Sequence, residues 1–466
     1  MGSVIWLFGS NSLAGATQVT MMVISFLCAL IGLKNGIIWV ELERSIVRAS
    51  AKTTAPILIF LSIGGLIGSF MLSGAVPSLL YYGLNLLSPT YFYALACLIC
   101  ALVAICIGSS WTTAATVGVA LIGVAYGFSL SPEIAAGAII SGSYFGDKMS
   151  PLSETTNLAP SIAGSELFDH IRHMAWVSVP SFCIAVTAFF FIGLNAAESD
   201  QAANAQQDID AFIQTLNQHF DISVINLIPV FLLLWLATKK APAYLAIIGS
   251  SLLACVFAYL FQYEALISFA GGQDFVVIAK AYWLVLFDGF AISTDNENVN
   301  NLLSRGGMAS MVNMAWLVMA SMAMTGVLEK IGFIETLMNA MVKLVRSTGT
   351  LIATTMATCF GFNVLTGDQY LSIVLPGQMW RSEFEKHHLE KINLSRTLED
   401  AGTLTSPLIP WNACGVYMAG TLAVATLGYL PYCLFNIINP VVALLFAFLN
   451  IKIARVPATE GARSVS

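Results

Sequence analysis

Carboxylate and hydroxyl side chains collect at two interruptions of an otherwise apolar chain. Asp147 and Glu154 flank the first interruption at Pro151, and Pro407 lies at the centre of the second. Proline removes a backbone donor and frees a carbonyl oxygen one turn earlier, so a proline inside a membrane helix leaves oxygen atoms available to a cation. A hard cation such as Na⁺ takes oxygen ligands in place of its hydration shell. The sequence therefore indicates cation binding at both interruptions.

The two interruptions belong to an internal duplication. Met-Ser-Pro-Leu at 149–152 and Thr-Ser-Pro-Leu at 405–408 are separated by more than half of the 466-residue chain. Two further phrases are separated from each other by a similar number of residues. The first, Gly-Ser-Ser-Trp-Thr-Thr, begins at Gly108, and the second, Gly-Phe-Asn-Val-Leu-Thr-Gly-Asp, begins at Gly361. Apolar halves that are broken at matching places are typical of secondary transporters, whose broken helices bind substrate near the bilayer midplane.

Each half supplies a set of hydroxyl and amide side chains for Na⁺. The first set comprises Ser109, Ser110, Thr112, Thr113, Ser150, Thr155, Thr156 and Asn157. The second set comprises Asn363, Thr366, Thr403, Thr405, Ser406 and Asn412, to which the carboxylate of Asp368 is added. The Na⁺ ligands predicted among them are Ser109, Thr113, Ser150, Asn157, Asn363, Asp368, Ser406 and Asn412. A single hydroxyl of this kind more often bonds to its own helix or to a neighbouring one, but recurrence of the whole set in register favours a functional role.

Three carboxylates are predicted to couple Na⁺ to protons: Asp147, Glu154 and Asp368. A charge at the bilayer centre costs at least about 2.5 to 3.5 kcal/mol, so a carboxylate there is a candidate for function. Desolvation favours the neutral form of such a group, whereas a bound Na⁺ favours its ionised form. Protons and Na⁺ would then compete for one carboxylate.

Other charged residues near the interruptions have a structural alternative. Glu399 and Asp400 precede the second interruption and are either functional or ion-paired with Arg396. His170 and His173 could report internal pH, but residues of this kind are more often solvated loop positions. The solvated interpretation is therefore the prediction for both histidines.

Membrane helices must hold all of these residues. Hydrophobic residues make up 57% of the chain and charged residues 10%, against roughly 45–50% and 25% in soluble domains. Continuously apolar runs long enough to cross a hydrocarbon core as helices occur near 54–73, 174–195, 242–262, 308–327 and 430–449. The predicted fold class is an all-α integral membrane protein.

The distribution of Lys and Arg predicts that the two halves have opposite orientations. The connections at 74–89 and 128–132 contain neither residue, whereas their counterparts at 330–346 and 381–396 are basic. By the positive-inside rule, the first pair is external and the second pair is cytoplasmic. This assignment predicts re-entrant hairpins at 90–127 and 348–378, with tips at 108–113 and 361–368, and broken transmembrane helices at 133–160 and 394–419.

The chain is thereby divided into three parts. Residues 1–196 form the first inverted repeat, residues 197–219 a polar external linker, and residues 220–466 the second inverted repeat. Residues 4–9 resemble the end of a membrane segment, so the first helix of the first repeat is expected to be truncated.

Three long phrases resemble the NhaC family. They are Gly-Asp-Lys-Met-Ser-Pro-Leu-Ser-Glu-Thr-Thr-Asn-Leu-Ala-Pro (146–160), Leu-Ser-Arg-Gly-Gly-Met (303–308) and Leu-Glu-Asp-Ala-Gly-Thr-Leu-Thr-Ser-Pro-Leu-Ile-Pro-Trp-Asn (398–412). The resemblance covers almost the whole chain and implies membership of the ion-transporter superfamily. There, a hairpin tip and the following broken helix of each inverted repeat form the sodium sites. The resemblance also implies an elevator-type homodimer, in which a transport domain moves against a dimeric scaffold.

The favoured function is Na⁺/H⁺ antiport across the bacterial cytoplasmic membrane, with Na⁺, H⁺ and the lipid bilayer as partners. The alternative is Na⁺-coupled transport of a small organic solute, such as methionine, tyrosine, or malate in exchange for lactate, because helix N-termini at the breaks can hold a carboxylate. A membrane enzyme or receptor is disfavoured, since neither HExxH nor Gly-x-Ser-x-Gly occurs. Neither a cofactor nor a nucleic-acid partner is expected.

Overall fold

The computed structural model describes residues 15–197, 202–239, 241–295 and 297–456. The predicted truncated segment at 4–9 lies outside these residues. Within them, the regular elements are helices, joined by one isolated antiparallel bridge between Leu389 and Arg455. The all-α prediction is confirmed for this part of the chain.

The first half contains nine helices in the part described. They are α1 (Ala16–Lys34), α2 (Trp39–Ala51), α3 (Thr54–Leu72), α4 (Ala75–Leu86), α5 (Phe92–Ile107), α6 (Ser110–Gly127), α7 (Pro132–Met149), α8 (Glu154–Ala163) and α9 (Leu167–Ala197). Helix α6 includes a π-helical stretch at Ala114–Gly118, and a 3₁₀ turn at Pro89–Tyr91 precedes α5.

The remainder of the described chain forms the helices α10 (Ala202–His219), α11 (Ile228–Thr238), α12 (Ala243–Phe261), α13 (Tyr263–Ala270), α14 (Phe275–Phe287), α15 (Glu297–Leu303), α16 (Val312–Lys330), α17 (Phe333–Val342), α18 (Thr348–Thr366), α19 (Leu371–Lys386), α20 (Lys391–Leu398), α21 (Ala413–Leu422), α22 (Thr426–Tyr429) and α23 (Leu434–Phe448). A π-helical stretch at Glu399–Thr403 continues α20. Short 3₁₀ turns lie at Val224–Leu227, Met308–Met311, Ser406–Leu408 and Leu430–Tyr432.

Many of these helices have the length and composition of membrane spans. Eight helices of the described residues qualify, and up to eleven spans result if each of three sharply bent pairs counts as one. Four predicted apolar runs correspond to α3, α9, α12 and α16, while the fifth forms the shorter α23. Large apolar side chains such as Phe26 on α1, Leu245 on α12 and Trp283 on α14 are exposed, as on lipid-facing helices. The protein is a multi-pass membrane protein.

Both halves contain the same series of elements. In the first half, α5 and α6 are joined by a tip at 108–109, and α7 and α8 are separated by a break at 150–153. In the second half, α18 and α19 are joined by a tip at 367–370, and α20 with its π-helical extension is separated from α21 by a break at 406–412. The predicted interruptions of both helices are confirmed. The opposite orientation of the halves in the membrane stays a prediction.

The second tip begins later than the sequence predicted. Helix α18 continues through Gly361 and ends at Thr366, because glycine inside a helix does not by itself end it. The chain turns where glycine adopts the left-handed conformation, at Gly367 (φ +63°), as at Gly108 (φ +76°) in the first tip. Asn363 and Thr366 therefore project from the last turns of a helix instead of from a loop.

The predicted linker at 197–219 is largely helical. Residues 202–219 form α10, in which Phe212 and Leu216 are buried. Helix α10 packs against α4 and α6 of the first half and against α15 of the second half, so this polar segment contacts both halves of the chain.

Glycines on α7 allow it to pack closely against α5. A Cβ atom at Gly142 would lie 2.0 Å from the Cys97 carbonyl oxygen, and one at Gly146 would lie 2.3 Å from the Ala101 carbonyl oxygen. This spacing of small residues is the common way for membrane helix backbones to approach each other. The contact fixes α7, which carries Asp147, against the helix that leads to the first tip.

We expect Gly142→Ala to lower the free energy of unfolding by about 1–3 kcal/mol, because the added methyl group has no space against the α5 backbone. Thermal unfolding of the purified protein in detergent measures the effect. Gly249→Ala on α12 is the matched control, since a Cβ there meets no atom within 4 Å. Equal stability of the two variants would contradict the close contact.

Candidate functional site

Each tip contacts the break of its own half. At the first tip, a Cβ on Gly108 would lie 2.6 Å from the backbone carbonyl carbon of Leu152, so only glycine fits there. At the second tip, the Gly367 carbonyl oxygen accepts a hydrogen bond from the backbone N–H of Ala413 (2.8 Å), the first residue of α21. The tips and breaks predicted from the sequence are therefore in contact in both halves.

Each tip also contacts the broken helix of the other half. The Trp111 ring stacks on Tyr417 with centroids 4.2 Å apart, and the Tyr417 hydroxyl donates to the Trp111 carbonyl oxygen (2.8 Å). In the opposite sense, the Tyr370 hydroxyl of the second tip donates to the exposed carboxylate of Glu154 on α8. Two tips and two breaks thus meet in one region of the molecule.

Asp147 is the buried carboxylate of this region. It lies in the last turn of α7, and its Oδ2 accepts hydrogen bonds from the backbone N–H (3.1 Å) and the hydroxyl (2.7 Å) of Ser110. Its exposed fraction is 7%. A negative charge at the start of α6 is favoured by the N–H groups that point toward it. Asp147 and Ser110 are two predicted residues that the structure brings together.

Two further hydroxyls of the first set, those of Ser150 and Thr156, lie at the break. Thr156 Oγ1 donates to the carbonyl oxygens of Asp147 (3.2 Å) and Lys148 (3.0 Å), and Ser150 Oγ donates to the Ile105 carbonyl oxygen (2.8 Å). These carbonyl groups lie at the C-terminal ends of α5 and α7, where no N–H group of the same helix is available to donate to them. The hydroxyls therefore secure the two helix ends on either side of Asp147.

The other members of the first set make local contacts. Ser109 Oγ caps α6 by accepting from the Thr112 N–H (3.2 Å), and the Thr113 hydroxyl donates to the Ser109 carbonyl oxygen (2.9 Å). Thr155 Oγ1 lies 3.2 Å from the Ser153 hydroxyl oxygen. Asn157 is exposed, and its amide donates to the carbonyl oxygens of Pro151 (2.9 Å) and Ser153 (2.6 Å).

The second set contains a buried amide network. Asn363 Nδ2 donates to the Gly402 carbonyl oxygen (2.7 Å) and to Thr405 Oγ1 (3.0 Å). Asn412 Nδ2 donates to Asn363 Oδ1 (3.0 Å), and Asn412 Oδ1 caps α21 by accepting from the Cys414 N–H (3.0 Å). Asn363 and Asn412 are both fully buried. This network joins the second tip helix to the second break without any formal charge.

Other residues of the second set bond to nearby backbone. Asp368 is half-buried, and its Oδ1 accepts from the Leu371 N–H (2.8 Å) at the start of α19. The Thr366 hydroxyl donates to the Phe362 carbonyl oxygen (2.8 Å), and the Ser406 hydroxyl donates to the Thr403 carbonyl oxygen (2.7 Å). Asp147, by contrast, is more deeply buried and lies where both halves meet.

A buried ion pair joins the two broken helices and was missed by the sequence analysis. Lys148 on α7 is fully buried and pairs with Asp400, which follows α20. Arg396 Nε lies 3.8 Å from Asp400 Oδ2, and Asn439 Nδ2 donates to Asp400 Oδ1 (2.8 Å). The alternative pairing with Arg396 is found for Asp400 but, among the described residues, not for Glu399. The sequence did contain one signal for this ion pair. Lys148 lies inside an apolar helix, where a buried charge requires an anion nearby.

The solvated interpretation of the two histidines is wrong. His170 lies in α9 and is fully buried, while His173 is half-buried. His173 Nε2 lies 2.9 Å from Arg396 Nη1. Since arginine can only donate, this nitrogen accepts, and His173 is in the neutral form. A polar sequence around a helix start does not reveal that α9 packs against α20 at this point.

Oxygen atoms are the ligands that this region offers. Among the described residues, no group of three or more His, Cys, Asp or Glu side chains could hold a metal ion. The region instead presents the buried carboxylate of Asp147, hydroxyls, amides and the carbonyls of helix ends. Such oxygen ligands suit a hard cation such as Na⁺ better than a transition metal.

Comparison with known proteins gives a consistent picture. A family model described as the Na⁺/H⁺ antiporter family matches residues 142–451. The chain is 39% identical over 438 residues to the Na⁺/H⁺ antiporter NhaC of Alkalihalophilus pseudofirmus, covering 94% of this chain and 91% of the relative. It is 33% identical to a malate-2H⁺/Na⁺-lactate antiporter of Bacillus subtilis, covering 92% and 89%. It is 34% identical to the arginine/ornithine antiporter ArcD of Halobacterium salinarum, covering 90% and 83%.

Proposed function

The chain belongs to the Na⁺/H⁺ antiporter family, and we propose on that premise that it exchanges Na⁺ for H⁺ across a membrane. Members of such a family are transporters, so the chemistry to be explained is the binding and release of ions. The observation that carries the proposal is Asp147, a buried carboxylate that Ser110 holds where both tips and both breaks meet.

In this proposal, Na⁺ binds beside ionised Asp147. The Ser110 hydroxyl can turn its oxygen lone pairs toward a cation, and the break leaves carbonyl oxygens at the end of α7. When Na⁺ leaves, a proton on Asp147 removes the cost of an uncompensated buried charge. Na⁺ and H⁺ therefore exclude each other at one group, which is the basic requirement of an antiporter.

The buried amide network is proposed as a second Na⁺ site. Asn363 Oδ1, Thr405 Oγ1 and Asn412 Oδ1 offer neutral oxygens, and Asp368 is the predicted carboxylate of the same tip. The remaining predicted ligands would hold the helix ends in place around the two ions: Ser109, Thr112, Thr113, Ser150, Thr155, Thr156, Asn157, Thr366 and Ser406. Glu154, tied to Tyr370 of the second tip, is retained as a proposed proton-coupling residue at the exposed end of the region.

The wider setting is also part of the proposal. We infer an elevator-type homodimer in the bacterial cytoplasmic membrane, with inverted repeats. The resemblance to the NhaC family supports the elevator and the homodimer. The same order of tips and breaks in both halves supports the repeat.

Proton movement in liposomes tests the proposed exchange directly. Purified protein is reconstituted, a Na⁺ gradient is imposed with no organic solute present, and internal pH is recorded. We expect Na⁺ to drive proton movement, and an equal choline gradient to drive none. A Na⁺ gradient that leaves internal pH unchanged would contradict Na⁺/H⁺ antiport.

A second candidate function is Na⁺-coupled transport of a small organic solute. The names of two similar proteins include small organic solutes of this kind. In addition, a largely apolar cavity of about 670 Å³ is lined by Asp288 and Arg305 and by residues 419–423 at the far end of α21 from Asn412. A cavity of this size suits a small organic ligand. Proton or Na⁺ movement that begins only when malate, lactate, arginine or ornithine is added would favour this function.

A further inference from the structure

We propose that Glu399 is a second proton-binding residue of this transporter and that its protonation weakens the binding of Na⁺ beside Asp147. The inference rests on the proposed exchange and deepens it, because it assigns a regulatory proton to a residue outside the predicted Na⁺ ligands. Glu399 opens the π-helical stretch between α20 and the second break.

The carboxylate of Glu399 is buried and makes no hydrogen bond of ordinary geometry, although the Thr403 hydroxyl lies close enough to interact with it. Its exposed fraction is 0%, and neither Oε1 nor Oε2 has a hydrogen-bond partner among the described protein groups. The Thr403 hydroxyl, one turn later, likewise has none. Buried polar groups are almost always hydrogen-bonded, so a carboxylate left in this condition calls for an explanation. An ionised carboxylate of this kind persists only beside compensating positive charge, whereas a proton makes it neutral.

Lys148 is the positive charge that interacts with Glu399, and Arg396 is linked to it through Asp400. Lys148 and Arg396 are both fully buried and share one carboxylate, that of Asp400. These three groups leave one positive charge in excess, which an ionised Glu399 would balance. Burial favours protonated Glu399, whereas the charge of Lys148 and the Thr403 hydroxyl favour ionised Glu399. Because the two tendencies oppose each other, Glu399 is suited to gain and lose a proton during transport.

The groups that face Glu399 come from several helices. They are Asp147 and Lys148 of α7, Cys359 of α18, and Asp400 on its own segment. His170 of α9 faces Lys148 and Arg396, and His173 accepts from Arg396 in its neutral form. Asn439 of α23 completes the surroundings by donating to Asp400. Lys148 is thus the cation that faces both Glu399 and Asp400.

The same cluster is connected to the proposed Na⁺ site. Lys148 follows Asp147 directly, and the Thr156 hydroxyl donates to the carbonyl oxygens of both residues. A proton on Glu399 leaves the cluster with a net positive charge next to Asp147, which disfavours a second cation there. By thermodynamic reciprocity, Na⁺ bound at Asp147 must favour loss of the proton from Glu399 by the same factor.

The alternative is a purely structural Glu399 that stays protonated at all times. The two possibilities differ in the pH dependence of Na⁺ affinity. If Na⁺ competes with protons at both Asp147 and Glu399, the logarithm of the apparent Na⁺ affinity rises with pH with a slope approaching about two, whereas competition at one residue gives about one.

The experiment measures Na⁺/Na⁺ counterflow in proteoliposomes, with equal pH on both sides, from acidic to alkaline pH. We expect a slope approaching about two for the wild-type protein and about one for Glu399→Gln. We also expect Glu399→Gln to weaken the alkaline Na⁺ affinity by roughly a hundredfold, because the variant keeps the charge of the protonated state and a slope near two requires coupling of that size. Glu399→Met, which is neutral and of similar length, should behave in the same way.

Glu329→Gln, an exposed position at the end of α16, is the control and should match the wild-type protein. A wild-type slope of about one, or an unchanged slope in Glu399→Gln, would overturn the proposal. Complete loss of counterflow in both Glu399 variants would also overturn it, since Glu399 would then be required for folding or for Na⁺ binding itself. Absence of Na⁺-driven proton movement in the wild-type protein would instead reject the antiport, while the slopes would still decide the role of Glu399.

Discussion

Replacing Asp147 by asparagine is expected to abolish Na⁺-driven proton movement. The substitution preserves the size of the side chain but removes the negative charge that the proposed site offers to Na⁺ and to H⁺. Loss of one partner of a buried charge pair typically costs about 2–5 kcal/mol, so the apparent Na⁺ affinity should fall by roughly a hundredfold or more. Proton movement in liposomes across a range of Na⁺ concentrations measures this change.

The matched control for this result is Asp169→Asn. Asp169 is exposed and lies 3.7 Å from the exposed Arg172, so this pair should contribute little and the variant should exchange normally. Ser110→Ala should give an intermediate result, about a tenfold weaker Na⁺ affinity, because it removes one hydroxyl but keeps the backbone N–H donor. Full exchange by Asp147→Asn would remove Asp147 from the mechanism.

The second large effect is expected from the ion pair between the broken helices. Asp400→Leu leaves Lys148 and Arg396 buried without their shared anion, and Lys148→Met leaves Asp400 without its nearest cation. Each single substitution should lower the free energy of unfolding by about 3–5 kcal/mol, as for other broken buried pairs. Thermal unfolding in detergent, together with the yield of folded protein, measures the loss.

The double variant Lys148→Met/Asp400→Leu separates pairing from packing. A buried ion pair that is replaced as a unit by apolar residues is often neutral in stability, so we expect the double variant to be more stable than either single one. We expect its Na⁺ affinity to depend less on pH than that of the wild-type protein, because the double variant lacks Lys148, the cation that interacts with Glu399. Additive losses in the double variant would show that the two residues act independently.

The local part of the site could be predicted from the sequence. Pro151 and Pro407 mark both helix breaks, because proline cannot donate to the turn before it and its ring clashes there. Asp147 and Ser110 are found together because tip and break recur in each half. Asp147 and Ser110 are 37 positions apart, and the repeated order of tip and break in each half points to both residues.

The contacts between the halves could not be predicted in the same way. Lys148 and Asp400 are 252 positions apart, and apolar periodicity shows which face of a helix is buried without showing what it meets. Asn157 belongs to the same phrase as Ser150, yet it is exposed, because the direction of α8 after the break decides which residues face inward. Gly361 shows a further limit, since glycine occurs both inside membrane helices and at their ends.

The long separation of Lys148 and Asp400 also constrains how the protein is made. Translation of the intervening 252 positions at about 5–20 residues per second takes roughly 13 to 50 seconds. During this time the first half has already emerged from the ribosome, and Lys148 has no Asp400 carboxylate with which to pair. The nascent chain must therefore keep α7 near water, lipid headgroups or the insertion machinery until the second half arrives. Substitutions at Asp400 should accordingly increase degradation of newly made protein, even where mature molecules survive.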